Sequence, residues 1–570
     1  MSKFFRKARF SRRFRMLAGF AVLAAVLTAC SGIPRDGGVQ VGQPAEAGDN
    51  PAPVFLPSGP QTGADQESIL RGFIDAASSP QGNYAVAREF LTPDFSDSWD
   101  PDAGVTVDDG SNRSVNALDA SAMQFSVTPV AAVNATGQYE EFDSRVPVPL
   151  PYEFVMIDGE WRISEAPNGT VVDASTFASV FSAQALYFFD PGFDYLVPDL
   201  RWYPSGASSP TRIVKGLLAG PSPWLLGAVT TAFPEGTALT ADAVQVVARD
   251  AKVDLNNEAL NADAITLQRM RAQLVNSLAP GTSVTLSIND NVQDSGDLGA
   301  AAPIVKPRVD TRALILRDGK FGFLAATGTE LSPVAGLSEA IVGLAPSAVT
   351  LAPDQERAAV RNANGVWGVN AGDDAVQLDP RDGLVAPAVD GYGYVWSVPT
   401  ARPGELFAYS PSGEAIAVPT PWHEASSIQA IAISRDGTRL VALWTAGTET
   451  RFVVTAIKRE KSAPVALGEP VYLATEAGVP QDVAWVDELT VAALSTTPSG
   501  ESTIATQRIG GVSDELESAP GTVTITGGNT LRELRALTGA GVLAVQRGVV
   551  GWQDRVDQVV LVATQQGVPR

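Results

Sequence analysis

The feature that most constrains the fold is a repeating pattern of short strands in residues 305–570. This segment is almost free of helical periodicity. Four stretches within it share one order: an apolar strand, an acidic turn, a second strand, a loop and a third strand. Their turn acids are Asp354, Asp390, Asp436 and Asp487, separated by 36, 46 and 51 residues. A repeat of roughly 40–50 residues with about four strands is typical of a β-propeller.

The length of this segment predicts the number of repeats. Its 266 residues, at roughly 45 per blade, give about six blades. Residues 531–564 supply a fifth unit, and residues 313–326 begin another. Because the apolar faces of blades must be covered by neighbours, we expect the first and last segments to share a blade and close the ring. The sequence therefore predicts an all-β propeller of about six blades over residues 305–570.

The chain begins with an export signal. Residues 1–15 carry seven basic side chains and no acidic one, and residues 16–29 carry no charge. These 14 uncharged residues are too few to span a bilayer, which takes roughly 20 residues in a helix, so the pattern predicts a signal peptide over residues 1–29. Residues 11–17 partly resemble the twin-arginine signal. Both export routes stay open, and we favour export of the unfolded chain.

The only cysteine follows this signal directly. Leu27-Thr28-Ala29-Cys30 resembles the bacterial lipobox, in which the cysteine is acylated and becomes the new N-terminus after cleavage. The resemblance implies an N-palmitoyl, S-diacylglycerol cysteine at Cys30. Two acyl chains suffice for durable anchoring, since each buried CH₂ contributes roughly 0.8 kcal/mol. We expect a lipid anchor on the extracytoplasmic face of the cell membrane; the alternative is an incidental thiol in an ordinary signal peptide.

Charge and histidine content exclude several classes of function. The formal net charge is −22, and since the predicted signal peptide takes seven positive charges with it, the mature chain carries −29. Such a surface repels nucleic acid and anionic lipid headgroups, so we expect neither as a partner of the folded domains. His423 is the only histidine. A histidine-based metal site is therefore excluded, and any Ser-His-Asp arrangement would have to use His423.

Two segments separate the lipobox from the rest of the chain. Residues 30–64 are rich in glycine and proline, which predicts a flexible tether. Residues 65–175 combine apolar residues at helical spacing with strand patterns. Within them, "FVMIDGEWRISEAP" resembles the last hairpin of NTF2-like domains, which implies an α+β fold that often encloses a cavity.

An acidic stretch inside the α+β segment offers oxygen ligands for Ca²⁺. It lacks the Asp-x-Asp-x-Asp-Gly start and the terminal glutamate of an EF-hand loop. We interpret it as a solvated loop with helix caps, and we predict no metal and no cofactor for the chain. The six aspartates are Asp94, Asp97, Asp100, Asp102, Asp108 and Asp109.

Residues 178–295 resemble the GerMN domain. The resemblance depends on "LVPDLRWYP", "LLAGPSPWL", "FPEGTAL", "VDL" and "QRMRAQLVNSL". It implies an α/β domain found in envelope and germination proteins and not known as a catalyst. We interpret Gly220, Pro221 and Gly236 as turn formers and not as ligand contacts.

Taken in order, the lipobox, NTF2-like segment, GerMN domain and propeller resemble the actinobacterial LpqB lipoprotein family. "CSGIP" at Cys30 and the GerMN motifs carry most of the resemblance, which spans the mature chain. It implies a lipoprotein that contacts the extracytoplasmic part of the sensor kinase MtrB. Through MtrA–MtrB two-component signalling it would modulate cell-wall metabolism and division. We expect a monomer that is not an enzyme, and the sequence assigns no catalytic residue and no partner-binding residue.

Two other functions stay open. The chain could be an envelope hydrolase, since paired carboxylates perform glycoside chemistry, although no motif selects a pair. It could also be a carrier that holds a small ligand in the NTF2-like cavity or the propeller channel. Trp422 and His423 lie in a loop that could belong to a binding rim; the alternative is a tryptophan packed between blades.

Overall fold

The chain forms three successive regions in which strands greatly outnumber helices. The computed structural model describes residues 57–142, 145–476, 478–548 and 551–569. All of these belong to one compact unit, Ala52–Arg570. Below, they are divided into an N-terminal region (66–180), a middle region (181–305) and a C-terminal region (314–565). Among the described residues no helix has the length and apolarity to cross a membrane.

The N-terminal region opens with helix α1 (Gln66–Ala77). Its N-cap is Asp65, whose carboxylate accepts a 2.9 Å hydrogen bond from the Ser68 N–H. The helix buries the apolar stripe that its spacing predicts, Ile69, Leu70, Phe73 and Ile74. The other elements of the region are α2 (Ala85–Arg88), α3 (Pro93–Ser98), β1 (Gly104–Asp108), β2 (Ser114–Ala117), β3 (Ala122–Val127), β4 (Pro129–Asn134), β5 (Tyr139–Glu141), β6 (Val148–Ile157), β7 (Glu160–Glu165), β8 (Thr170–Asp173) and α4 (Ala174–Val180).

These strands form two sheets, in the orders β2-β3-β6-β7 and β5-β4-β1-β8. The expected last hairpin is present: Asp158 and Gly159 both have positive φ, as a two-residue turn between β6 and β7 requires. Apolar spacing from Tyr84 to Leu91 predicts a longer second helix than α2. The helix is short because Tyr84 is left-handed, with φ of 60°. The NTF2-like fold stays a prediction.

The middle region packs two helices against short sheets. Its sheets have the orders β15-β10-β9 and β11-β12-β13-β14. The pattern of residues 243–255 suggests one strand, but a turn with positive φ at Ala248 and Arg249 divides it into a hairpin. The elements are β9 (Phe181–Phe189), β10 (Tyr195–Pro204), α5 (Ser209–Leu218), β11 (Gln245–Val247), β12 (Asp250–Leu255), α6 (Ala264–Ser277), β13 (Ser283–Ile288), β14 (Asn291–Val292) and β15 (Ile304–Val305).

The glycines of the GerMN-like motifs do form turns. Gly220 follows α5 with φ of 92°, and its N–H donates to the Leu217 carbonyl, which ends the helix. Gly236 has φ of 81° in the Pro-x-Gly-Thr turn. Both positions favour glycine because other residues rarely adopt this backbone conformation.

The C-terminal region is almost entirely antiparallel strand. It contains one short helix, α7 (Ser338–Gly343), which the sequence pattern does not reveal because less than two turns give little periodicity. Its strands are β16 (Leu314–Arg317), β17 (Lys320–Leu324), β18 (Leu331–Ser332), β19 (Ala348–Leu351), β20 (Arg357–Asn362), β21 (Gly365–Asn370), β22 (Val376–Asp379), β23 (Ala388–Val389), β24 (Val395–Ser397), β25 (Phe407–Tyr409), β26 (Ala415–Ala417), β27 (Ser427–Ile433), β28 (Arg439–Ala446), β29 (Glu449–Glu460), β30 (Ala463–Leu467), β31 (Val471–Leu473), β32 (Val479–Trp485), β33 (Thr490–Thr496), β34 (Ser502–Arg508), β35 (Ser513–Glu517), β36 (Thr522–Thr526), β37 (Arg535–Thr538), β38 (Leu543–Gln546), β39 (Trp552–Val556) and β40 (Val559–Gln565).

Most of these strands form groups of four that are consecutive in the chain. The orders are β19-β20-β21-β22, β23-β24-β25-β26, β27-β28-β29-β30, β32-β33-β34-β35 and β36-β37-β38-β39. The remaining group, β18-β17-β16-β40, joins the last strand of the chain to the first strands of the region. This pairing confirms that the first and last segments share a sheet. Strand β40 also pairs in parallel with β19 at two positions.

Side-chain hydrogen bonds join the middle region to the C-terminal region. The Tyr187 hydroxyl donates to Glu488 at 3.0 Å, and the Tyr392 hydroxyl donates to Asp190 at 2.7 Å. The Trp202 indole N–H donates to the Gly510 carbonyl at 2.9 Å. Glu488 and Tyr392 lie in loops that follow an innermost strand, and Gly510 lies in a loop that joins the third and fourth strands of a group. In a sheet of four antiparallel strands these two kinds of loop lie on the same side, so all three bonds reach one side of the C-terminal region.

Candidate functional site

The four repeated aspartates form turns. In each repeat, one carboxylate oxygen accepts the backbone N–H of the residue two positions ahead, at 2.8–3.0 Å. This is the Asx-turn geometry, which explains why an acidic residue recurs between the first and second strands. Asp390 and Asp436 are also buried and bound by Arg459 and Arg439. Their carboxylates serve the fold and do not converge on one site.

A cavity of about 340 Å³ lies on the axis of the C-terminal region. It is lined by the innermost strand of every four-stranded group: β19, β23, β27, β32, β36 and β40. Five of these strands end at the turn that leads to the next strand of their group, and β40 runs parallel to β19, so all six point the same way along the axis. The repeat pattern therefore builds a channel whose lining comes from six separate parts of the sequence. We call it the axial pocket.

One end of the axial pocket is closed by side chains. The buried Arg435 guanidinium donates to the backbone carbonyls of Pro307, Val486 and Gly528. From β40, Gln566 donates across the axis to the Ile433 carbonyl at 3.3 Å. The closed end lies on the side that carries the loops bound by the middle region.

The other end of the axial pocket is open. Val523 and Val560 lie near the starts of β36 and β40, and they are 47% and 64% exposed. Isolated exposed valines are ordinary on a protein surface, but these two line a cavity. We call this exposed, apolar-edged end of the axial pocket its mouth.

Two opposite charges face the axial pocket. Asp482 accepts hydrogen bonds from the Ile525 N–H at 3.0 Å and from its own neighbour's N–H at 2.9 Å. Burial raises the pKa of Asp482 to about 7, an effect that Arg361 partly offsets. The Arg361 guanidinium donates to Ser347 Oγ at 3.1 Å and to the Leu384 carbonyl at 3.0 Å. Burial lowers the pKa of Arg361, and Asp482 opposes that shift.

These two charges do not form an ion pair. Among the described residues, neither Asp482 nor Arg361 has an oppositely charged atom within 4.0 Å. By contrast, Asp436 and Arg439 of the same region do form an ion pair, with their charged atoms 2.5 Å apart. Each charge in the axial pocket therefore keeps hydrogen-bonding capacity that no protein group uses.

Three buried side-chain atoms of residues that line the axial pocket have no hydrogen-bond partner among the described residues. They are Gln429 Oε1, Thr526 Oγ1 and Gln565 Oε1. The side chain of Gln565 is held in place, because its Nε2 donates to the Arg312 carbonyl at 2.9 Å. Gln565 and Thr526 are only 6% and 3% exposed.

A second cavity, of about 250 Å³, lies in the N-terminal region. It is enclosed by α1, β1 and β8, with Phe73, Val105 and Tyr152 among its lining residues. No charged side chain lines it. It is the weaker candidate, because its polar lining residues, such as Thr106, Asn168 and Thr170, are uncharged and offer no charge to fix the orientation of a ligand.

The residues singled out from the sequence lie elsewhere. Cys30 lies outside the described residues. Trp422 is 2% exposed, packs in the core between strand groups and donates to the Pro403 carbonyl at 3.1 Å, so the packing interpretation is confirmed. His423 is exposed beside it. The axial pocket does not include either residue.

The acidic stretch is divided among separate structural roles. Asp100 and Asp109 accept backbone N–H groups in turns, as the cap interpretation expects. Asp102 pairs with Arg212 at 2.8 Å, and Asp108 pairs with Arg113 at 2.7 Å. In the part of the chain that the structure describes, no three His, Cys, Asp or Glu residues are grouped to hold a metal ion.

Sequence reasoning did not single out Asp482, Arg361 or Gln565. One signal was available for Asp482. It interrupts an inner strand, "VPQDVAW", that is otherwise mostly apolar, and a charge in such a strand is uncommon. Arg361 and Gln565 gave no comparable signal, because their strands end in mixed polar residues.

Family models match all three regions. The model described as "Lipoprotein LpqB, N-terminal domain" matches residues 59–178, and "Lipoprotein LpqB beta-propeller domain" matches residues 322–561. A third, "Sporulation and spore germination", matches residues 185–294. A lipoprotein LpqB from Thermobifida fusca is 25% identical over 612 aligned residues, covering 91% of this chain and 95% of that protein. The chain belongs to the LpqB lipoprotein family. The C-terminal region is accordingly propeller-like, and the GerMN resemblance of the middle region is confirmed.

Other LpqB-family alignments differ in extent. The lipoprotein LpqB of Cutibacterium acnes is 33% identical over 237 residues, which span 40% of this chain and 39% of that protein. The Bifidobacterium longum protein of the same name is 28% identical and covers 77% of each chain.

Solved structures resemble the chain only over part of its length. A chain of a nidogen/laminin complex matches with a TM-score of 0.33 and 9% identity, covering 44% of this chain and 97% of that one. The Dos1 propeller matches with a TM-score of 0.26 and 10% identity, covering 38% and 57%. Scores this low carry no information on function.

Proposed function

We propose that this LpqB-family protein is a lipoprotein on the extracytoplasmic face of the cell membrane that binds and modulates the sensor kinase MtrB. The two-component system so regulated would control cell-wall metabolism and division. The observation that carries the proposal is that both LpqB family models match this one chain and that a lipobox-like motif precedes the segments they match. The family resemblance supplies the partner.

A binding role suits the architecture better than a catalytic one. The repeated carboxylates are engaged in turns and buried ion pairs, which leaves them unsuited to acid–base chemistry. Hydrogen bonds between regions hold several loop clusters at fixed mutual positions. Loops on a rigid frame are a common means of protein recognition.

The finer fold assignments belong to the same proposal. The six four-stranded groups are six blades, and the α+β segment is NTF2-like. The proposed divisions are 1–29 (signal peptide), 30–64 (tether), 65–175 (NTF2-like), 178–295 (GerMN) and 305–570 (propeller).

Crosslinking in intact cells tests the partner. Full-length protein with a photoreactive residue at an exposed propeller loop position such as His423 is irradiated, and captured proteins are identified by mass spectrometry. We expect the outer domain of MtrB to be enriched over a matched chain with the photoreactive residue at the exposed Leu118 of the N-terminal region. If neither position captured MtrB while both captured other envelope proteins, the proposed partner would be contradicted.

The anchor makes a separate prediction. Cys30→Ala removes the thiol that accepts the lipid, so we expect the protein to leave the membrane fraction and to lose labelled fatty acid. The substitution Ser31→Ala, one residue further on, leaves the thiol in place and serves as the matched control. A Cys30→Ala chain that stays with the membrane after carbonate washing would mean that the anchor lies elsewhere.

A further inference from the structure

The axial pocket has the chemistry of a ligand site. Its volume of about 340 Å³ falls at the lower end of the range of small-molecule sites, roughly 300–1,000 Å³. It is closed at one end by Arg435 and Gln566 and open at the other. A ligand entering through the mouth would therefore lie among residues of all six strand groups.

The charges that line the axial pocket limit what fits. Its only ionisable side chains among the described residues are Arg361, Arg435 and Asp482. Arg435 spends its donors on three backbone carbonyls. Among the described residues no acceptor lies within hydrogen-bond distance of Arg361 Nη2, while each Asp482 oxygen accepts one backbone N–H and retains a further lone pair.

Separated, unpaired charges favour a ligand that carries both signs. A purely anionic ligand would leave the Asp482 carboxylate without a cation, and a purely cationic ligand would do the same to Arg361. Burying either mismatch is costly, because a desolvated charge needs a partner.

We propose that the axial pocket binds a small zwitterion, an amino acid or short peptide, whose ammonium group lies against Asp482 and whose carboxylate lies against Arg361. Val523 and Val560 contact its apolar part at the mouth. This site is independent of the proposed kinase partner, and either proposal can fail alone.

Calorimetric titration of the purified full-length protein tests the site. The probes are the standard amino acids, diglycine and dialanine, with glucose as a neutral polyol. For the tightest zwitterion, we expect the N-acetylated and the amidated forms each to bind at least about tenfold more weakly, a loss of roughly 1.4 kcal/mol. No binding by any zwitterion at millimolar concentration, equal binding of the blocked forms, or tighter binding of glucose would overturn the proposal.

Two variants assign the charges separately. Asp482→Asn should weaken the zwitterion about tenfold or more but leave binding of the N-acetylated form unchanged. Arg361→Gln should also weaken the zwitterion, but it should leave binding of the amidated form unchanged because that form lacks the carboxylate. Thermal unfolding of each variant verifies folding, and Thr524→Ser, a milder change in the same lining, is the control. A variant that weakens zwitterion and blocked forms equally would count against the assigned contacts.

The pH dependence gives an independent readout. A bound ammonium group favours ionised Asp482, so the affinity of the unsubstituted protein should fall as pH is lowered from about 8 to 6, through the raised pKa of that carboxyl. The dependence should vanish in Asp482→Asn. Affinity that rises on acidification would contradict the placement of the ammonium group.

Discussion

Two aspartates of the C-terminal region, Asp436 and Asp482, differ in whether a guanidinium lies beside them. Burial alone would raise the pKa of Asp436, but Arg439 and hydrogen bonds from Thr438 and Ser434 reverse the effect and lower it. Asp482 has only backbone donors, so burial dominates and its pKa rises to about 7. A single residue type thus serves as a stable structural anion in one turn and as a titrating group in the axial pocket.

Asp482 makes stability depend on pH. Its pKa of about 7 in the folded chain exceeds the roughly 3.9 of an unfolded aspartate, so its contribution is fully present below pH 4 and is lost as pH rises through 7. In Asp482→Asn we expect the loss between pH 5 and 8 to shrink by at least about 1.4 kcal/mol, one pKa unit. Urea unfolding at several pH values measures it.

The exposed Asp554 supplies the control for that measurement. Asp554→Asn removes a carboxylate of the same region and should leave the slope of stability against pH unchanged. If both variants changed the slope equally, general charge effects and not the burial of Asp482 would be responsible.

Truncation of two adjacent residues in one loop should change the free energy of unfolding by very different amounts. Trp422→Ala creates a cavity in a core cluster and leaves the Pro403 carbonyl without its donor, so we expect a loss of about 3–5 kcal/mol in the free energy of unfolding. His423→Ala changes an exposed side chain and should stay within about 0.5 kcal/mol. Urea denaturation of both decides it, and comparable losses would refute the packing role of Trp422.

At the scale of elements, strand β40 completes two pairings that no other strand can make. It pairs along β16 and, near its end, with β19. Its residues Leu561 and Ala563 pack in the core cluster of the first strands. The ring of sheets is therefore closed by the last strand of the chain.

Removal of β40 should open this ring. A chain that ends at Asp557 loses both pairings and exposes the apolar edge of β16, so we expect rapid cleavage of the C-terminal region in limited proteolysis. A chain that ends at Gly567 keeps β40 and Gln566 and should resist proteolysis like the full chain. Equal resistance of the two truncations would show that closure contributes little.

The sequence predicted local elements better than it predicted the lining of the axial pocket. The stripe from Ile69 to Ile74 marked α1, and Asp158-Gly159 marked a hairpin, because each signal lies within a few residues. The turn acids revealed the repeat for the same reason. The sequence suggested a channel through the propeller but not the residues that line it, since the lining of the axial pocket comes from six distant strands. Asp482 and Gln565 approach it only after the ring closes.

At the scale of the whole molecule, the middle region and the floor of the axial pocket share a boundary. The Pro307 carbonyl, in the segment that links the two regions, accepts a hydrogen bond from Arg435 at the closed end. Glu488 accepts from Tyr187 and also contacts Lys306 at 3.6 Å. The regions are therefore joined along the side opposite the mouth, which leaves the mouth free.

Loss of the bonds between regions should uncouple their unfolding. In the double variant Tyr187→Phe, Trp202→Phe, the donors to Glu488 and Gly510 are removed, and each bond contributes about 1 kcal/mol. We expect the thermal transition to separate into two in differential scanning calorimetry. Tyr472→Phe, at a 55% exposed tyrosine, is the control. A single unchanged transition would mean that other contacts dominate.

The position of β40 has a consequence for biosynthesis. Translation delivers the N-terminal partner, β16, about 240 residues before the strand that it needs, which at roughly 5–20 residues per second is a delay of tens of seconds. Throughout that interval the edge of β16 that pairs with β40 has no hydrogen-bonding partner strand. Export of the unfolded chain would keep the propeller segment from folding in the cytoplasm before β40 has been synthesised.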